Sequence, residues 1–207
     1  LKPSEKMDEM KRDMAGAAAV FGALRALAKT GVKKHLVAVG GVAENMPGGN
    51  AQRPGDVIRM FNGKTVEVKN TDAEGRLVLS DVLAYTEKRF KPNYIVDLAT
   101  LTGAVIIALG HRCAGVMGND KRLTDKILRA GERSGDRCWE LPLWDEYDEN
   151  IESDIADYSN IGHPRGAGSI IGATLLKHFV SVPWAHVDIA GTAWYDMKKP
   201  FAFSGAT

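Results

Sequence analysis

The sequence predicts an α/β fold: a three-layer α/β/α domain whose mixed central sheet is mostly parallel. Three observations lead there. Short, mostly apolar segments recur at 35–42, 94–98, 114–117 and 185–189. Segments with helical spacing of apolar residues alternate with them. Strands that are apolar on both faces need cover on both sides, and the alternating helices supply it. No repeat, low-complexity tract or long linker interrupts the 207 residues, so a single domain over 1–207 is expected.

Each element has its own local reason. Met7, Met10, Met14, Ala17, Phe21, Leu24 and Ala28 share one helical face, which predicts a helix over about residues 4–29. Ser4 serves as its N-cap and Gly31 follows its last turn. His35 to Val42 is short, apolar and rich in glycine at its end, the pattern of a buried strand. Glu44 to Gly55, with Pro47, Gly48, Gly49, Pro54 and Gly55, reads as loop. Val57 to Met60 and Thr65 to Val68 flank Asn62-Gly63, a strong hairpin signal. A helix is expected over 75–89, a strand over 94–98 and a small-residue turn over 99–103. The remaining pattern gives a strand at 114–117, helices at 123–134 and 170–179, and a last strand at 185–189.

Composition narrows the function classes. Lys plus Arg total 27 against 26 for Asp plus Glu, a net charge of +1. That balance offers no electrostatic reason to expect a nucleic-acid or membrane partner. The longest nearly apolar run, 99–110, is too short to span a bilayer. Two cysteines, Cys113 and Cys138, lack metal-ligand spacing and are too few for a disulfide scaffold, so a reducing, cytoplasmic location is expected. The chain opens at Leu1 without an initiator Met, so its ends are expected to be cut rather than natural.

Chemistry concentrates in Asn70 to Leu77, NTDAEGRL. Were the backbone extended there, Asp72, Glu74 and Arg76 would share one face just before an apolar helix. Carboxylates so placed suit a divalent cation, and the Arg fork suits a carboxylate-like anion. A solvated turn with Glu74 at a helix N-terminus explains the same residues about as well. Asp13, beside the small-residue run Ala15 to Ala19, is either a third carboxylate facing a crowded interior or part of an exposed Lys11-Arg12-Asp13 edge. The five histidines form no metal motif, and His186, in an apolar strand, reads as a hydrogen-bonded structural residue. Gly166-Ala167-Gly168 reads as a close-packing device rather than an anion cradle, and the acidic stretch 145–157 as a solvated face or subunit contact.

These segments resemble the leucyl aminopeptidase (cytosol aminopeptidase) family. The likeness rests on NTDAEGRL and continues through MKRDMAGAAAV at 10–20, ENMPGGNAQRPGDV at 44–57 and DLATLTGA at 97–104. It runs on through SDIADYSNIG at 153–162, RGAGSIIGATLL at 165–176 and WAHVDIAG at 184–191. The resemblance implies a metal-dependent aminopeptidase that removes single N-terminal residues, Leu and similar, from peptides. Two divalent ions, zinc or manganese with magnesium as a further candidate, would activate the attacking water. Asp13, Asp72 and Glu74 would be metal ligands, with Glu74 bridging. Lys2 would stabilise the oxyanion, and Arg76 would hold a bicarbonate that acts as general base. Met10, Thr100, Leu101 and Gly103 match positions near the substrate; taken alone, Met10 also suits helix core, and 100–103 also suits a turn that closes a strand. The family's upstream segment, with a ligating Lys and a bridging Asp, and its smaller N-terminal domain do not occur in this sequence. The resemblance further implies a homo-hexamer with peptide substrates as its partners. Two other readings remain: a non-catalytic DNA-binding or scaffold module, which the near-neutral charge does not favour, and a two-metal phosphoesterase.

Overall fold

The computed structural model describes residues 7–194. A 3-10 turn over Met7–Arg12 precedes helix α1, Ala15–Lys29. Strands β1 (Val57–Arg59) and β2 (Thr65–Glu67) form the expected hairpin, with Gly63 at φ +92° in its turn. Helix α2 spans Gly75–Phe90, β3 Ile95–Ala99, α3 Ala104–Leu109, β4 Ala114–Gly118 and α4 Lys121–Ser134. Next come β5, Cys138–Glu140, a 3-10 segment at Asp145–Ile151 and β6, Tyr158–Ser159. Helix α5 (Gly168–Lys177), β7 (Trp184–Asp188) and the short α6 (Ala190–Ala193) end the described chain.

The main sheet has the order β3-β7-β4-β5. The β3–β7 and β4–β5 pairs are parallel and β7–β4 is antiparallel, which makes the sheet mixed but mostly parallel. Side-chain alternation sends its two faces to different helices. Ile95, Met117 and Trp184 pack with Leu83 of α2 and with Ala173 and Leu176 of α5. Ala114, Val116 and Val187 pack on the other face with Val96, Leu98 and Ile127 of α4. Helices on both faces make three layers, as the apolar strands require. A smaller sheet, β1-β2-β6, closes a second cluster around Val66, Val68, Ile151 and Leu175.

Three local expectations are corrected. The first helix is not continuous: residues 13 and 14 form a turn, and α1 starts at Ala15. Its apolar stripe does not face a core, since Phe21 is 50% exposed and only Ala15 and Gly16 are buried. Helix α1 meets the sheet through Gly16, where a Cβ would stand 2.2 Å from the Leu98 carbonyl oxygen. Residues 35–42 form no strand, and most of them are exposed. Apolar composition makes a strand only where a neighbour offers backbone partners, and no described strand pairs with this segment. Gly40 and Gly41 instead run close to Phe21 and to Val78 and Val82 of α2. The strand β5, the 3-10 segment and β6 carry no sequence pattern that announces them; pairing with β4 and β2 creates the two strands.

One buried polar cluster ties the sheet together. Asp97 of β3 accepts hydrogen bonds from Trp184 Nε1–H (2.6 Å) and His186 Nδ1 (2.6 Å), both on β7. His186 is thus the hydrogen-bonded structural residue expected. Burial disfavours its charged form, but Asp97, with a smaller contribution from Asp188, outweighs burial and the His186 pKa is raised. Stability from this pair is therefore fully present below the ordinary value of 6.5 and is lost as pH rises through the folded value. The substitution Asp97→Ala orphans two buried donors and should cost about 3 kcal/mol or more in urea unfolding. The gap between wild type and Asp97→Asn should narrow as pH rises above 6.5 in the same assay.

Candidate active site

The segment 70–77 folds as a turn leading into α2 rather than as a strand end. Thr71 and Asp72 lie in the turn, and Glu74 is the N-cap of α2 with φ −79° and ψ −30°. Asp72, Glu74 and Arg76 therefore do not share a pleated face. Asp72 is exposed, with its N–H donating to Asn70 Oδ1 (2.9 Å), whereas Arg76 is buried. The helix dipole favours negative charge at Glu74. Its Oε2 is buried and makes no hydrogen bond among the described residues.

Asn160, fully buried just past β6, shapes this turn. Its Oδ1 accepts from the N–H of Lys69 (2.8 Å) and Asn70 (3.2 Å). Its Nδ2 donates to the carbonyls of Asn70 (2.7 Å) and Ala73 (3.3 Å). Arg76 Nη1 donates to the Asn160 carbonyl at 3.0 Å. From the other side, Asn45 Nδ2 donates to the Thr71 carbonyl at 3.0 Å. Burial pulls the Arg76 pKa down, and Asp188 and Glu74 push back toward the charged form.

A second segment converges here from the carboxyl end of β3. Thr100 Oγ1 donates to Asp13 Oδ1 at 2.6 Å, which brings the turn between the first two helical segments against the turn after β3. Asp13 itself is exposed, the edge reading rather than the interior one. Met10 is half-buried, and its carbonyl accepts the Asp13 N–H (2.9 Å). A Cβ on Gly172 of α5 would stand 3.0 Å from Leu101 Cδ2, 3.3 Å from Thr102 Cγ2 and 3.7 Å from Arg76 Cζ. That glycine lets one helix touch both segments. Gly103 is exposed with open space where a side chain would go.

Thr100 thus meets Asp13 at the end of β3, while the flank of α5 at Gly172 touches both Leu101 and Arg76, two residues into α2 from Glu74. Lys2 lies outside the described residues. Among the described residues no group of three or more His, Cys, Asp and Glu is placed to hold a metal ion. The Glu74 oxygen, unpaired among the described residues, fits a cation ligand, and a set of three or more carboxylate, His or Cys ligands would need donors beyond the described residues.

Comparison with known proteins decides the family. The model of the cytosol aminopeptidase family's catalytic domain matches residues 1–207, the whole chain. The chain belongs to the cytosol aminopeptidase family. Probable cytosol aminopeptidases of Geobacter sulfurreducens and Roseiflexus castenholzii are each 54% identical to it, over 208 and 209 residues. In both, the match covers 100% of this chain and 42% of the relative. A probable cytosol aminopeptidase of Syntrophotalea carbinolica is 57% identical over 195 residues, covering 94% of this chain and 39% of its own length. The chain spans about two fifths of the curated relatives it matches.

Within this cytosol aminopeptidase catalytic domain, several tempting residues are passive. Cys113 and Cys138 are free thiols whose pKa values burial raises, that of Cys138 to about 11. A Cβ on Gly168 would stand 2.8 Å from Ala104 Cβ, so the glycine serves packing. Asp145 and Asp148 pair with Lys177, at 3.0 and 3.1 Å. The residues that sequence reasoning passed over are Asn160, Thr102, Asp188 and Gly172. A charged residue inside the apolar stretch WAHVDI was the available signal for Asp188; Asn160 had none beyond its place in a quoted motif. Replacing Asn160 with Leu leaves the 69–73 backbone groups unpaired and should cost about 2–4 kcal/mol in urea unfolding. Amide hydrogen exchange at Lys69 and Asn70 should rise with it.

Proposed function

We propose that the protein carrying this chain is a metal-dependent aminopeptidase that removes N-terminal residues, Leu and similar, from peptides. The observation that carries the reading is the buried, unpaired Glu74 carboxylate oxygen beside the buried Arg76, in a chain of this family. An acceptor held out of water without a donor is costly unless a cation completes it. The relatives' name, probable cytosol aminopeptidase, points to the same activity.

Glu74 and Asp72 would hold divalent cations, zinc or manganese, with Asp13 as a further ligand. Such ions, when bound, supply charge stabilisation and a water that is acidic enough to ionise near neutral pH. Donors beyond the described residues complete the set. Arg76, fixed by Asn160, presents a planar cationic fork that suits bicarbonate; Lys there would not replace it. Lys2 would neutralise charge that grows on the scissile carbonyl oxygen. Met10, Thr100, Leu101 and Gly103 would border the first side chain of the substrate. The reading extends to a cytoplasmic homo-hexamer; among the described residues no helix is long and apolar enough to cross a membrane.

In the full-length protein, Glu74→Ala should abolish hydrolysis of leucine anilide while circular dichroism stays unchanged. Retained activity would sink the assignment. Dialysis against a chelator should also abolish turnover, and added manganese or zinc should restore it; a chelated enzyme at full rate would exclude the metal role.

A further inference from the structure

Asp188 ends the last sheet strand and has no solvent exposure. Burying a carboxylate is costly unless donors surround it, and an apolar residue would fill a purely packing position more cheaply. The donors Asp188 gathers come mostly from one place. Its Oδ1 accepts from the N–H of Leu101 (3.1 Å), Thr102 (3.4 Å) and Ala190 (3.2 Å). Its Oδ2 accepts from the Thr102 hydroxyl at 2.6 Å. That hydroxyl has one proton, so Ser169 Oγ, 2.8 Å away on α5, donates to it in turn. The chain Ser169–Thr102–Asp188 thus fastens the 100–103 turn to β7 and α5 at once. The outer end of that turn is Thr100, bonded to Asp13, and its Leu101 side chain abuts Gly172.

We propose that Asp188 is a positioning residue: from beneath the site it sets the Thr100–Gly103 turn and so the surface that receives the substrate's first side chain. This rests on the aminopeptidase reading. Asp188 touches no substrate; it acts through the turn, with Thr102 as the link.

The test uses the full-length protein and the ratio of kcat/KM for leucine anilide to that for alanine anilide. Loss of folded enzyme lowers both values equally and leaves the ratio alone, whereas a shifted turn changes it. Thr102→Val keeps the side-chain shape and removes the hydroxyl; Asp188→Asn keeps the shape and turns an acceptor into a donor toward Thr102. Both should move the ratio by about fivefold or more, and Thr102→Ser should restore it to within about twofold. An unchanged ratio in Thr102→Val, with active wild type, overturns the proposal. If Asp188→Asn does not fold, Thr102→Val decides alone. Wild type that is inactive on both anilides overturns the aminopeptidase reading itself, and the positioning role falls with it.

Discussion

Carboxylates buried in the main sheet govern what surrounds them. Asp97 on β3 and Asp188 on β7 lie in adjacent parallel strands, and each is withdrawn from water. A buried carboxylate only accepts hydrogen bonds, so every neighbour must turn a donor toward it. Asp97 takes the ring N–H groups of Trp184 and His186 and so locks β3 to β7. Asp188 takes the amides and hydroxyl of the turn that follows β3. One carboxylate holds the sheet and the other aims what leaves it.

The rest of the site depends on close backbone approaches that this arrangement permits. Gly16 brings α1 against Leu98, and Gly172 brings α5 against Leu101, Thr102 and Arg76. With those contacts in place, the carboxyl end of β3, the start of α2 and the flank of α5 meet at one edge. Ligand sites in α/β sheets gather at the carboxyl ends of strands because loops there are free to vary while the strands stay fixed. Asn160 performs the matching task for the second loop. Its four side-chain hydrogen bonds hold the 69–73 backbone against β6, and Glu74 and Arg76 emerge from that clamp.

Much of the fold was legible because local pattern and tertiary demand agree. Asn62-Gly63 required a hairpin, and β4 and β7, buried along their length, required cover on both faces. Legibility ended where an element's identity depends on a neighbour. The run 35–42 is as apolar as a strand, yet it lacks one among the described residues and stays irregular and exposed. In contrast, β5 and β6, with little pattern of their own, become strands because β4 and β2 present open edges. For the site, the sequence singled out Glu74 and Arg76, and the strand geometry expected to align them gives way to a helix start. Asn160 and Asp188 stayed hidden because their importance lies in partners 84 to 91 residues away, a separation that no local pattern encodes.

Sequence alone therefore determined the α/β class, most of the helices and strands, the family, and the segment in which charged residues concentrate before an apolar helix. The class and elements follow from periodicity and turn chemistry and the family from its motifs, all of them readable along the chain. Tertiary structure alone decided that Asp72 faces water while Arg76 is buried. It also decided that Thr100 meets Asp13, and that Asp188 fastens the turn that Thr100 begins. The physical reason is that desolvation and hydrogen-bond satisfaction are properties of a folded neighbourhood, which exists only once distant segments have packed.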